Sequence, residues 1–128
     1  MNLIKSIAAV TLCLSATTVL ANPAFLVTHN RTSQESNAYV AGAPSPYPSK
    51  ANMDNKVDWN LVKFVCWGHL VNNQCKAEIK MATNTASPIS IGTVSMDIIT
   101  GYITPSQLSA NGYTVTVNGP GETTITKN

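Results

Sequence analysis

Short alternating segments, turn residues recurring between them and a single helix-start signature predict an all-β chain. The expected architecture is a small antiparallel β-sandwich of immunoglobulin-like type, with one short helical turn near residues 105–110. A small β-barrel is the alternative.

The first strand is read at Ala24-Phe25-Leu26-Val27-Thr28, a short apolar run. Asn30-Arg31-Thr32 has the form of a glycosylation sequon, which carries meaning only in a eukaryotic secretory pathway. From Arg31 to Lys56 the pattern is irregular and contains Gly42-Ala43-Pro44-Ser45-Pro46-Tyr47-Pro48-Ser49. Each proline fixes its own φ and biases its predecessor to extended conformations. The stretch is therefore read as a stiff, polyproline-like arm crossing the surface, with Tyr47 as a possible contact.

Between Val57 and Cys66 both parities are partly apolar, and the β-branched and aromatic content favours a buried strand. The competitor is a helix from Asp54 with Val57, Leu61, Phe64 and Val65 on one stripe. Cys75, Ala77, Ile79 and Met81 alternate with Lys76, Glu78 and Lys80, the pattern of a half-buried strand. Ile89 and Ile91 share one parity while Val94, Met96 and Ile98 share the other. The change falls at Gly92, which predicts a bulge there. Thr104-Pro105-Ser106-Gln107 joins a capping residue, a first-position proline and a glutamine three residues after the cap, hence the helical turn. Asn111-Gly112 ends it. Tyr113 to Val117 and Thr123 to Thr126 then form a terminal hairpin around Asn118-Gly119-Pro120-Gly121.

The chain's beginning reads as an export signal. One lysine lies in Met1–Lys5, an uncharged run follows from Ser6 to Leu20, and Val19-Leu20-Ala21 ends it with a small residue. The run is short for spanning a bilayer, which takes about 20 apolar residues, and serines and threonines dilute it. Cleavage is placed after Ala21, so the protein is expected to be exported, periplasmic or secreted, and the signal fits a bacterium. Taking 21 residues from 128 leaves 107, a single domain. Within it, residues 22–56 supply the first strand and the proline arm, and residues 57–128 the β-rich core. All six acids and seven of the eight bases remain, a net charge of +1. So weak a charge, without a Lys/Arg cluster, excludes a nucleic-acid partner. No further apolar run suggests an integral membrane segment after cleavage.

Two cysteines remain after cleavage, Cys66 and Cys75. In an oxidising compartment an isolated pair is expected to form a disulfide. A zinc ribbon needs a different spacing, and no Cys-x-x-Cys marks a redox pair or haem attachment. If Asn72-Asn73 is a two-residue turn, the cysteines sit four positions apart along the sheet, about 13 Å at roughly 3.3 Å per residue. A disulfide needs Cα atoms within about 7 Å. The tight turn and the bond therefore exclude each other, and a broader loop centred near Leu70-Val71 is expected.

The loop then presents Trp67, His69, Asn72 and Asn73 as candidate contacts. No catalytic residue, metal ligand or cofactor is assigned. None of Ser87, Ser90, Ser95 and Ser106 lies in a Gly-x-Ser-x-Gly elbow, and Asp97 is a lone acid in a strand. A metal site or a hydrolase would have to be built on His69, with His29 as a further ligand. Met53, Met81 and Met96 with His69 suggest copper by chemistry, but no Met-x-Met cluster supports it. The expectation is an exported, non-catalytic binding module for a protein or surface ligand. Beside it stand a small periplasmic metal-binding protein or His69-based hydrolase, and a structural subunit assembling through strand edges.

Overall fold

A computed structural model describes residues 22–128; the export signal read at 1–21 lies outside the described residues. The described chain runs β1 (Phe25–Arg31), β2 (Ser36–Val40), β3 (Ala43–Pro44), β4 (Asp54–Asp58), α1 (Trp59–Cys66), β5 (Leu70–Val71) and β6 (Gln74–Met81). It continues through β7 (Ile89–Asp97), β8 (Ile103–Thr104), β9 (Gln107–Ala110), β10 (Tyr113–Gly119) and β11 (Glu122–Lys127). One sheet has the order β4-β1-β11-β10-β9 and the other β3-β2-β6-β7-β8, with β5 also on β6. Both sheets are open, so the protein is a small β-sandwich and not a barrel.

The alternating segments fold as their patterns require. Cys75 and Met81 of β6 face inward and are buried, while Lys76 is exposed on the other face. In β7 the parity switch is a bulge: Ile79 pairs with Gly92 and Lys80 with Ser90, leaving Ile91 extra. Gly92 has φ +132°, and a Cβ there would press on the Leu108 methyls at 3.2 Å. The terminal hairpin pairs Thr114 with Thr126 and Val115 with Ile125.

Four local expectations are corrected. Val57–Cys66 is not one strand: β4 stops at Asp58 and α1 follows. The Asp58 carboxylate accepts from the Asn60 N–H at 2.9 Å, capping the helix. Its buried stripe is Trp59, Val62 and Cys66, at i, i+3 and i+7, a different face from that of the competing helix. The β-branched residues yield because burying that stripe outweighs a weak propensity. The helical turn near 105–110 does not form. Gln107–Ala110 is instead β9, paired with Tyr113–Thr116, and Asn111-Gly112 is the two-residue loop between them, with φ +54° and +88°. A ladder with Leu108 packed on the core outweighs an isolated helical turn, whose nucleation is unfavourable.

The irregular stretch after Arg31 contains β2, and the proline arm lies folded against the sandwich. Tyr39 pairs with Pro44, and Ser36 and Ser49 exchange two backbone hydrogen bonds. Tyr47 is half-buried and packs on the core. The sheets are not wholly antiparallel either: β1 runs parallel to β11, from Val27 beside Glu122 to Arg31 beside Thr126. Nearly the whole chain separates these strands, so no tight turn dictates their direction.

Asn30, the head of the formal sequon, is fully buried. Its Nδ2 donates to the Gln34 and Ser49 carbonyls, and its Oδ1 accepts from the Thr32 N–H and hydroxyl. These residues tie the β1–β2 turn to the arm, and no side-chain atom of Asn30 is left for a sugar. No helix among the described residues is long and apolar enough to cross a membrane.

Candidate functional site

The stretch from Trp59 to Cys75 forms one unit. Its inner face is anchored by Trp59, which is 4% exposed and donates its indole N–H to the Ile98 carbonyl at 3.1 Å. After Cys66 the chain turns sharply. Trp67 has φ −61° and ψ 131°, Gly68 has φ +82°, and the His69 N–H donates to the Cys66 carbonyl at 2.9 Å. This is a type II turn, which demands glycine at its third residue and puts Trp67 on the corner. Trp67 is accordingly 79% exposed.

The next reversal is Asn72-Asn73, with φ +52° and +63°. Leu70 pairs with Cys75 and Val71 with Gln74, so this is the two-residue hairpin, of primed type. Asn73 also accepts from the Ile98 N–H at 2.8 Å, tying the turn to the end of β7. Cys66 and Cys75 are nevertheless disulfide-bonded, with Cα atoms 5.8 Å apart. The expected exclusion of turn by bond is therefore corrected. It assumed both cysteines on one ladder, whereas Cys66 ends a helix that lies off the sheet and can approach Cys75 directly.

The outer side of this unit exposes several large apolar side chains among polar ones. Phe64 is 76% and Val71 69% exposed, and Leu61 and Leu70 are also exposed. Leu61 and Phe64 lie three residues apart on the face of α1 away from the core, and Trp67 follows three residues later. Trp67, His69, Asn72 and Asn73 thus share this unit and are all exposed, whereas Tyr47 lies apart, under the arm. Phe64 and Leu61 were read as strand or stripe residues of the interior. Helical periodicity starting at Trp59 is the signal that separates them from Val62 and Cys66.

The ionisable groups gather elsewhere. On the outer face of the five-stranded sheet, His29 Nδ1 lies 2.8 Å from Asp54 Oδ1 and Nε2 lies 2.7 Å from Glu122 Oε2. Arg31 reaches Asp54 at 2.9 Å. The Asp54 hydrogen bond, then that of Glu122, raises the His29 pKa, and the His29 hydrogen bond lowers that of Asp54. Those partners are 25 and 93 residues away in the chain, so no local motif announces them. Asp97 is held below its ordinary value by the Thr100 and Ile99 N–H groups, which its carboxylate accepts at 2.9 and 2.8 Å. It shapes the turn after β7. The cysteines, bonded to each other, offer no thiolate to a metal. Met81 and Met96 are buried in the core. Among the described residues no three His, Cys, Asp or Glu side chains are grouped to hold a metal ion.

Comparison with known proteins bears on this arrangement. The NttC family, described as T2SS substrate NttC, matches residues 1–128. The crystal structure of the Legionella pneumophila type II secretion system substrate NttC is similar at 63% identity, with a TM-score of 0.81. That likeness covers 83% of this chain and 99% of the other. No curated protein matches the chain. With the family matched along its whole length, and a solved relative so alike in sequence and fold, the chain belongs to the NttC family.

Proposed function

We propose that this protein is exported from a bacterium by a type II secretion system and acts outside the cell as a non-catalytic binding module. Export is supported by the related protein, which is by its title a substrate of that system, and by the signal pattern at residues 1–21. The contact surface is the outer side of the Trp59–Cys75 unit, with Phe64, Trp67 and Val71 as anchors.

The exposure of Trp67, at 79%, on a backbone pinned by a disulfide carries this reading. Aromatic side chains bring large contact area with few torsions to freeze, and they dominate the binding energy of interfaces. Here the backbone beneath them is already ordered by the type II turn, the hairpin and the Cys66–Cys75 bond, which reduces the entropy lost on docking. The partner is a protein surface with an apolar hollow. Strand-edge assembly has less support: β3 and β8 are two residues long, edge strand β4 carries Asp54, Lys56 and Asp58, and the remaining edge, β9, is uncharged but only four residues long.

A photo-crosslinking residue at position 69, exposed beside the anchors, tests the proposal, with exposed position 76 as control. Incubation with the extracellular protein fraction of the producing bacterium should give one discrete adduct from position 69, lost on Phe64→Ala. Equal, diffuse labelling from both positions would refute the surface.

A further inference from the structure

We propose that the space between the two sheets is a second, separate site, which takes a small uncharged apolar molecule. The space measures about 130 Å³ and is walled by both sheets and by α1. It exists because several inward positions are small. Thr28 and Thr123, register partners on β1 and β11, line it from one sheet, and Ala38 and Ala77 from the other. Larger residues there would close the sandwich to ordinary packing density. An unfilled apolar space leaves its lining atoms without packing partners, and water is a poor occupant of walls that offer it few hydrogen bonds.

The lining chemistry defines the ligand. None of the lining residues is charged, so neither a carboxylate nor an ammonium would find a counter-ion. The polar groups at the proline arm, on Asn37, Ser45, Tyr47, Ser49 and Asn55, are engaged with one another, and the Thr28 and Thr123 hydroxyls stand apart on β1 and β11. Asn37 Nδ2 donates to the Ser45 carbonyl at 2.7 Å, and its Oδ1 accepts from the Ala38 N–H at 2.9 Å. Asn55 Nδ2 donates to the Tyr47 carbonyl at 3.1 Å and to the Ser49 hydroxyl at 3.2 Å. The arm is thereby stitched to β2 of one sheet and β4 of the other, with half-buried Tyr47 over the gap between them. Recognition is left to shape and apolarity. Apolar cavities of roughly 150 Å³ take up benzene, which sets the size class.

Purified protein labelled at alanine, valine and isoleucine methyls would be titrated with benzene, and separately with benzoate, the same ring carrying a charge. Benzene should shift the Ile79, Val94 and Val115 methyls saturably, and benzoate should bind at least about tenfold more weakly. Ala77→Leu, which fills the space, should weaken benzene binding about tenfold or more by replacing the guest with its own methyls. If that variant does not fold, Ala38→Val makes the same test. Trp67→Ala should leave the benzene shifts unchanged, which separates this site from the proposed contact surface. No shifts with benzene, shifts confined to the surroundings of Trp67 and Val71, or undiminished binding by the filled variant would each overturn the proposal.

Discussion

The outer face of the five-stranded sheet and the outer side of the Trp59–Cys75 unit both present large side chains to solvent, but only the first is satisfied from within. On the sheet, His29 lies between two carboxylates, Arg31 pairs with Asp54, and the Lys56 ammonium lies 5.0 Å from the Phe25 ring centroid. Charges of both signs alternate and meet, as on a surface that needs only water. On the disulfide-closed unit, Phe64, Trp67 and Val71 stand open without any such pairing, although the backbone carrying them is held by a bond, a cap and two tight turns. Rigid backbone beneath exposed aromatics is what a contact surface requires, and a paired charge cluster is not.

The comparison breaks if the unit proves loose, and the strongest test removes its inner anchor. Trp59→Ala should destabilise the fold by roughly 3–5 kcal/mol, through cavity formation, and free the Ile98 carbonyl, measured by urea unfolding. Removing the disulfide with the double variant Cys66→Ala and Cys75→Ala should cost about 2–3 kcal/mol by restoring chain freedom to a short loop in the unfolded state. A change near zero would show that the turns alone hold the unit. Asp58→Ala should lose about 1 kcal/mol from the helix cap, again by denaturant unfolding.

The charged face makes its own prediction. His29 is raised, so its contribution is complete below its unfolded pKa of about 6.5 and disappears as pH rises through the higher folded value. Asp54 is lowered, so its contribution is present above its ordinary carboxylate value and is lost as pH falls through the folded one. The cluster therefore stabilises most in mildly acidic solution, between those two limits. Melting temperature plotted against pH should show this maximum, and His29→Gln should flatten it. The smallest effect on stability is expected from Trp67→Ala, within about 0.5 kcal/mol either way, because the side chain buries little. The same change should abolish the crosslinked adduct formed from position 69. A large loss of stability instead would make Trp67 structural and remove it from the proposed surface.

Strands whose two faces meet different environments were legible residue by residue. Cys75 to Met81, the parity switch at Gly92 and the terminal hairpin follow from alternation alone, since side chains on a strand take opposite faces in turn. Trp67, His69, Asn72 and Asn73 are exposed, but on a type II turn and a tight hairpin and not on the broad loop read there. Phe64 was misplaced because a ten-residue stretch with apolar residues in both parities fits a buried strand and a short helix equally well. The packing of Tyr47 was not legible because proline alternation specifies an extended chain but not what it lies against.

By itself, the sequence determined a β-rich chain, the paired cysteines, most of the strand faces and the weakness of the overall charge. These depend on composition and on contacts close along the chain. Only the tertiary structure decided that α1 leaves the sheet so that Cys66 reaches Cys75 beside a tight Asn72-Asn73 turn, that β9 pairs instead of coiling, and that β1 joins β11 in parallel. It alone brought His29 to Asp54 and Glu122, and set small residues of both sheets around one apolar space. Each of these is a choice between local conformations of similar free energy, settled by burial and pairing with segments far away in the chain.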